Sequence, residues 1–553
     1  MQADKSLTFV IPVHGESGLF LGRCIESLMD NQDYPYKDAV VVYDGDKNQM
    51  GSALAQEDFY KDDTRVQFIH IEKGGACAAR NAGLELAKGD YVCFFDCDST
   101  LQAGGLRTWI NAFEDHPECG FVYNGYRFRM ESGYNSGVPA KPFDPWELTC
   151  NNYISSMNPI KRDICPKWDI TLDCLQDWDF WLRVVRAGHK GHFINDFLVI
   201  TEPPSENSIT GQSHRTWVES VRKVREGNEI PDRRIAVTSM GAPFQSKRRA
   251  KFLGADYKDP EMLWLKPHDY EAIVSMGYYV DSSTHPFMIF MDATDTPKER
   301  ECKKIIHFIG TDVFQLMHRK FTEVKAFRET VKVDKMFSNA PWLKTELDEM
   351  GIENELLYCP IDPTPYDITP FPKKFTVAVY RSDSNPMHND MFMFDVARNC
   401  PDIQWRFFGG TKPLNTKGIP RNINFEGTIE EKDIPAFIAE TSAIARVTVH
   451  DGFPASIAEW VMGGRPFIFN KKEMPFNDFY VDINLSEKNY ILCKERLING
   501  VRKLQKNLLK IDSSVWDLHR NHYVDLLSPD KYIKRMNEVI FDEANNKLCH
   551  SVL

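Results

Sequence analysis

The chain counts 553 residues, 42% hydrophobic, 12% aromatic and 26% charged, with a formal net charge of −12. Such a length exceeds one hydrophobic core and predicts about three domains, while the composition excludes a disordered or low-complexity chain. The acidic balance supplies no global basic field to recruit nucleic acid or anionic lipid, although a local basic patch could still do so.

At the N-terminus, MQADKSLTFVIPVHGE lacks the basic and long apolar regions of a secretory signal, so LTFVIPV (7–13) reads as a first strand. AVVVYD (39–44), RVQFIHI (65–71), DYVCFFD (90–96) and CGFVYNGYRF (119–128) are further apolar runs of strand length. Between them, 19–31, 76–88 and 106–116 carry helical patterns. The alternation predicts a mostly parallel sheet with helices on its faces. Residues 202–234 read as an exit segment and linker.

A second alternation begins at Arg234, with RRIAVTSM, HPFMIFMDATD, KKIIHFIGTDV, KVDKMFSN and ELLYCPID as its strands. The Pro- and Thr-rich PIDPTPYDITPFPKK (360–374) reads as an internal linker. FTVAVYRS, IQWRFFGG, NINFEGTI, AIARVTVHDG and RPFIFN make a third series, closed by helical segments. No apolar run approaches the roughly 20 residues that span a bilayer. The thirteen cysteines are scattered without a CxxC pair, which predicts reduced thiols and a cytoplasmic setting, peripheral to a membrane at most.

In an open parallel sheet, ligand-binding groups come from the carboxyl ends of strands. Pro12-Val13-His14-Gly15-Glu16 follows the first strand, Asp44-Gly45-Asp46 the second, and Asp96-Cys97-Asp98-Ser99 the fourth, while Gly74-Gly75 precedes a helix carrying Arg80 and Asn81. Two carboxylates one residue apart at a strand end can hold Mg2+ or Mn2+, whose open positions take phosphate oxygens. An isolated triplet of this kind also fits a turn with a helix cap, and Asp177-Trp178-Asp179 is another one. The apolar strand directly before Asp96, and Arg-Asn-Ala-Gly upstream of it, give the first triplet its context.

FVIPVHGESGLFLGRCIESLMDN, VVVYDGD, ARNAGLELAKGDYVCFFDCDS and LQDWDFWLRVVRAGHKGHFI together resemble glycosyltransferase family 2 over roughly residues 6–200. The resemblance implies a GT-A fold in which Pro12, Val13 and Asp44 hold the base and ribose of a nucleotide-diphosphate sugar and Arg80 approaches the nucleotide. Asp96 and Asp98 would be the metal pair, with Asp98 the closer ligand, and Asp177 the catalytic base that deprotonates an acceptor hydroxyl for inverting attack. Gln176 stands where the family has Glu. Trp178 and Trp181 fit either core or an acceptor-stacking wall, and His189 and His214 are candidate third metal ligands.

FTVAVYRSDSN, WRFFGG, INFEGTI and VHDGFPASIAEWVMGGRPFIF resemble the C-terminal domain of glycosyltransferase family 4, a GT-B fold. Asp451 and Glu459 match its Glu-x7-Glu spacing before Gly464-Arg465-Pro466, with Asp in place of the first Glu. The resemblance implies that Glu459 binds ribose, that amides at Ala455, Ser456 and Ile457 face the diphosphate, and that Arg381 is its positive partner. The expected architecture is therefore α/β: a GT-A domain with exit linker (1–232) and two Rossmann-like domains of GT-B type (233–370 and 371–553).

The function this implies is metal-dependent transfer from a nucleotide sugar, UDP-sugar above others, onto a growing glycan or glycolipid. A second transferase would occupy the later half; a degenerate module binding the acceptor is the alternative. A DNA acceptor is a further alternative, because some viral glycosyltransferases modify hydroxymethylated bases, with the host cytoplasm as the setting. A basic cleft beside Asp177, built for instance from Lys161, Arg162 and Lys167, would speak for it.

Overall fold

The structure, a computed structural model, describes residues 5–14, 20–46, 51–130, 137–204, 216–239, 243–258, 270–277, 302–319, 324, 333–382, 390–411, 418–477, 479–482 and 489–541. The chain divides into two compact units, Met1–Asp232 and Arg233–Leu553.

In the first unit, β1 (Leu7–Val13), β2 (Lys37–Asp44), β3 (Val66–Ile71) and β4 (Tyr91–Phe94) run parallel, with β1 central between β2 and β4. These strands are apolar on both faces because both are covered. Phe9 and Ile11 pack against Leu21, Ile25 and Leu28 of α1 (Leu21–Met29) and Trp109 and Ile110 of α4 (Gly105–Asp115). Val10 and Phe94 face Trp168, Phe180 and Trp181 on the other side. Helix α2 (Gly51–Phe59) follows β2, and α3 (Gly75–Leu86) lies directly over β1 and β2. The approach of α3 is so close that a Cβ on Gly83 would collide with Val10 Cγ1.

Beyond β4 the sheet becomes mixed. Among the described residues it has nine strands, in the order β3-β2-β1-β4-β8-β6-β9-β5, with β7 (Gly137–Val138) beside β6 (Phe121–Phe128). β8 (Pro159–Lys161) is antiparallel to both β4 and β6, β9 (Gly191–Thr201) is parallel to β6, and β5 (Ser99–Leu101) is antiparallel to β9. The expected largely parallel sheet thus holds only for its first half. β5, β7 and β8 are too short to show a period of their own, and their neighbours decide their pairing. Two helices frame this part: α5 (Pro145–Cys150), capped by the Asp144 carboxylate, and α6 (Gln176–Arg186).

The second unit holds two all-parallel sheets. The first runs β11-β10-β12-β13-β14-β15, from β10 (Ile235–Thr238), β11 (Asp256–Tyr257), β12 (Ala272–Met276), β13 (Lys303–Phe308), β14 (Lys335–Ser338) and β15 (Glu355–Leu356). The other runs β18-β17-β16-β19-β20, from β16 (Thr376–Tyr380), β17 (Gln404–Phe408), β18 (Ile423–Gly427), β19 (Ala443–Arg446) and β20 (Phe467–Phe469). Both are doubly wound, with reversal points at β10/β12 and β16/β19. β12 was not among the expected strands, and HPFMIFMDATD lies outside the described residues.

One apolar core joins the two sheets. Ile306, Phe308 and Val313 belong to the same cluster as Ile444, Ile457 and Trp460. Stretch 360–374, expected as a linker, is bound down within it: Tyr366 is buried, and Arg465 donates to the Thr369 and Pro370 carbonyls. Helices Tyr490–Asn507, Ser513–Leu526 and Pro529–Ile540 close the unit. Among the described residues no helix is long and apolar enough to cross a membrane.

Candidate active site

The carboxyl ends of β1, β2 and β4 lie side by side and carry Pro12, Val13, Asp44 and Asp96. The buried Asp44 carboxylate accepts from the amides of Gly74 (2.7 Å) and Gly75 (2.9 Å), which ties the end of β2 to the start of α3. The Asp44 carbonyl lies 2.8 Å from His14 Nδ1, the residue after Val13.

Helix α3 then presents Arg80 inward. Its guanidinium stacks 4.5 Å from the Trp168 ring, donates to Asp96 Oδ1 at 3.0 Å, and donates to Gln176 Oε1 at 3.2 Å. Gln176, the residue that departs from the family's Glu, is therefore an acceptor for Arg80, and its own amide donates to the Leu172 carbonyl. A neutral amide at this position leaves more of the Arg80 charge to Asp96 than a second carboxylate would.

Asp98 lies past the strand end and accepts from Ser99 Oγ at 3.2 Å. Burial, reinforced by the Asp96 charge, pushes its carboxyl up to about 6. Asp96, paired with Arg80, and its neighbour Asp98 supply hard oxygen donors of the kind a divalent cation takes. Among the described residues no group of three or more His, Cys, Asp or Glu is gathered as a metal site. His189 sits beside Gly120 at the amino end of β6, the opposite edge of the sheet from Asp98, which removes it as a third ligand. His214 lies outside the described residues.

Asp177 opens α6, after Leu175 in a left-handed turn (φ 60°). Its carboxylate accepts from Asn152 Nδ2 and from the Trp178 amide, both at 3.0 Å. Burial raises its pKa, against the lowering influence of Asn152 and Arg80. Asp179, two residues on, faces the core instead: Arg183 and Asn228 hold its carboxylate. Trp178 and Trp181 are both core residues, donating to the Leu148 and Ser155 carbonyls. Neither is an acceptor-stacking wall.

Sequence reasoning missed three residues of this site. Asn152 orients Asp177, and Trp168 supports Arg80. Tyr126 on β6 has its phenol pushed up to about 12 by burial and by the nearby charges of Asp177 and Asp96. None belongs to a motif; only the strand position of Tyr126 within YNGYRF hinted that it could reach a strand end. Lys161, Arg162 and Lys167 do not gather into a basic cleft beside Asp177. Lys161 pairs in register with Tyr91 at the amino end of β4, Arg162 binds the Gly89 carbonyl there, and Lys167 pairs with Glu85.

In the second unit the residues marked for a donor are engaged internally. Glu459 is buried in the helix Ala455–Met462, with Oε1 2.7 Å from Arg248 Nη1, and Tyr366 bonds to it as well. Arg381, at the end of β16, donates to Asp390 at 2.9 Å and to the Thr411 carbonyl. Asp451 accepts from Arg446, which also reaches Ser456 Oγ. The Ile457 side chain lies in the core. Backbone meets backbone where Gly310 (φ 139°) abuts Gly452; a Cβ on either would strike the other loop.

Residues 8–165 match the family model described as Glycosyl transferase family 2. An uncharacterized glycosyltransferase of Methanocaldococcus jannaschii is 25% identical over 221 residues, covering 37% of this chain and 74% of that protein. Glycosyltransferase GlyA of Streptococcus pneumoniae is 30% identical over 133 residues, 24% of this chain and 18% of its own. A crystal structure of S. aureus TarS 1–349 in complex with UDP-GlcNAc shares 16% identity over 40% of this chain and 66% of that one, with a TM-score of 0.34. The match thus spans well under two thirds of GlyA. By its N-terminal domain the chain is a glycosyltransferase.

Proposed function

We propose that the first unit moves a sugar from a nucleoside diphosphate donor, preferentially a UDP-sugar, to a hydroxyl of a glycan or glycolipid, inverting the anomeric centre. The arrangement that supports this reading is the Asp96–Arg80–Gln176 chain, which ties Asp96 to the residue preceding Asp177.

Pro12, Val13 and Asp44 serve the nucleoside, and Asp44 does so while holding the Gly74–Gly75 turn. Asp96 and Asp98 would hold a Mn2+ or Mg2+, which when bound neutralises charge on the leaving diphosphate. Asp177, held by Asn152, takes the proton of the acceptor hydroxyl. That oxygen forms the new bond to the anomeric carbon from the face opposite the diphosphate, which departs with the electron pair of the broken C–O bond.

For the second unit, the internal pairing of Glu459, Arg381 and Asp451 favours an accessory scaffold over a second transferase. A panel of UDP-, GDP- and dTDP-sugars with Mn2+, followed for donor hydrolysis, tests the proposal. Turnover of one donor that is lost in Asp98→Ala supports it. Hydrolysis that persists in Asp98→Ala, or no turnover with any donor, refutes it.

A further inference from the structure

The C-terminal helix Tyr490–Asn507 packs by Cys493, Leu497, Val501 and Leu504, a spacing that presents one stripe to the core. The opposite stripe is Leu492, Arg496, Asn499, Lys503, Lys506 and, in the 3-10 turn Leu508–Lys510 that continues the helix, Lys510. The steps of four and three keep these residues in a line along the solvent side. Between 490 and 510 the chain carries Lys494, Arg496, Arg502, Lys503, Lys506 and Lys510 against Glu495 alone, in a protein whose net charge is −12.

Several of these charges are spoken for. Arg496 pairs with Asp482 and Arg502 with Asp402. Lys503, Lys506 and Lys510 are exposed and have no ion pair among the described residues. Beside them Leu509 is 85% exposed, and at the other end of the helix Ile491 is 68% exposed. Three uncommitted lysines in a row, with bare aliphatic side chains at both ends, match the charge and the interface of an anionic bilayer. A nucleic acid or polyanionic glycan would use the lysines and have no use for Leu509.

We infer that Lys503, Lys506, Lys510 and Leu509 form a peripheral docking surface for an anionic membrane. The lysines supply attraction to acidic headgroups and Leu509 inserts at the headgroup–acyl boundary. Such a surface would hold the enzyme where a lipid-linked acceptor is found.

The test uses the full chain and vesicle co-sedimentation. Wild type is expected to bind vesicles of 30% phosphatidylglycerol in phosphatidylcholine at 0.1 M salt and to leave pure phosphatidylcholine in solution. Lys503→Glu/Lys506→Glu/Lys510→Glu should lower the partition coefficient on the order of a hundredfold. The same charge change at the exposed Lys61, Lys432 and Lys531 should leave it within about threefold, since screening confines the attraction to nearby charges. Leu509→Ser should weaken binding severalfold at unchanged charge. All variants alter exposed side chains, and unchanged circular dichroism and melting confirm their folding. Three results overturn the inference: no binding by wild type; equal loss in both triple variants; or binding of DNA or an anionic polysaccharide through the same lysines with vesicle binding indifferent to Leu509→Ser.

Discussion

Deleting the guanidinium of Arg248 should destabilise the second unit by about 3–5 kcal/mol, the cost of leaving a buried carboxylate unpartnered. Arg248 Nη1 lies 2.7 Å from Glu459 Oε1, with the two side chains only 8% and 6% exposed, so solvent screens the pair little. Burial, with a smaller push from the Glu431 charge, raises the Glu459 carboxyl against the pull of Arg248, and the two carboxylates facing Arg248 keep the guanidinium charged. The contact of Arg248 Nε with Glu431 (2.6 Å) adds less, because Glu431 is 48% exposed.

Arg248→Met keeps the aliphatic stem and removes the charge, and Arg248→Met/Glu459→Leu removes both charges. The single variant should lose the full penalty. The double variant should recover most of it, since apolar replacement of a buried pair is often neutral or stabilising. Urea unfolding followed by fluorescence and calorimetry measures this, with the transition of the first unit as internal reference. A single variant within about 0.5 kcal/mol of wild type would refute the structural role of the pair. So would UDP-sugar binding in EDTA, in an Asp98→Ala background, that Glu459→Gln abolishes; that result would restore a donor site to this unit.

The first unit supports four further expectations. Asp177→Asn should lower kcat by about 100-fold or more, the scale of a lost general base, with donor affinity by calorimetry near wild type; normal turnover in this variant would exclude Asp177 as the base. Because the Asp177 pKa is raised and the base works deprotonated, kcat should fall as pH drops through a value above the ordinary carboxylate range of about 4. Gln176→Glu places a like charge beside it and should move that acidic limb to higher pH, and an unmoved limb would contradict this placement. EDTA should abolish transfer and Mn2+ restore it, and full activity in excess EDTA would remove the metal role from Asp96 and Asp98.

Much of the first site was legible because its polar residues directly follow long apolar strands. Asp44 and Asp96 could be placed at strand ends from the runs before them, and the Gly in ARNAG had a packing reason, the contact of α3 with Val10. Helical spacing pointed to a core role for at least one of Trp178 and Trp181, and both are buried. What stayed hidden depends on contacts between distant segments. The bond of Arg80 to Gln176, and the approach of Asn152 and Tyr126 to Asp177, have no local signature. β12 is five apolar residues that fit a strand or a buried helix turn equally. The partner of Glu459 comes from a helix in the other sheet's half of the unit, which no spacing rule reveals.

The two units put similar residue types at similar places and differ in how the charges are settled. Among the described residues of the second unit, charged groups near strand ends meet opposite ones: Glu459 with Arg248, Arg381 with Asp390, and Asp451 with Arg446. Buried charges paired in this way hold loops and sheets in register, and a ligand would have to displace a formed ion pair to bind. In the first unit Arg80 is the ion-pair partner of Asp96 among the described residues, and Asp98 carries a carboxyl raised by burial and by the Asp96 charge. Charge held apart at a strand end, with its compensation incomplete, is a cost that a folded chain bears where a ligand supplies the balance. By that reasoning the end of β4 is the place where the proposed donor would supply the missing balance, and the ion pairs of the second unit favour the proposed scaffold role.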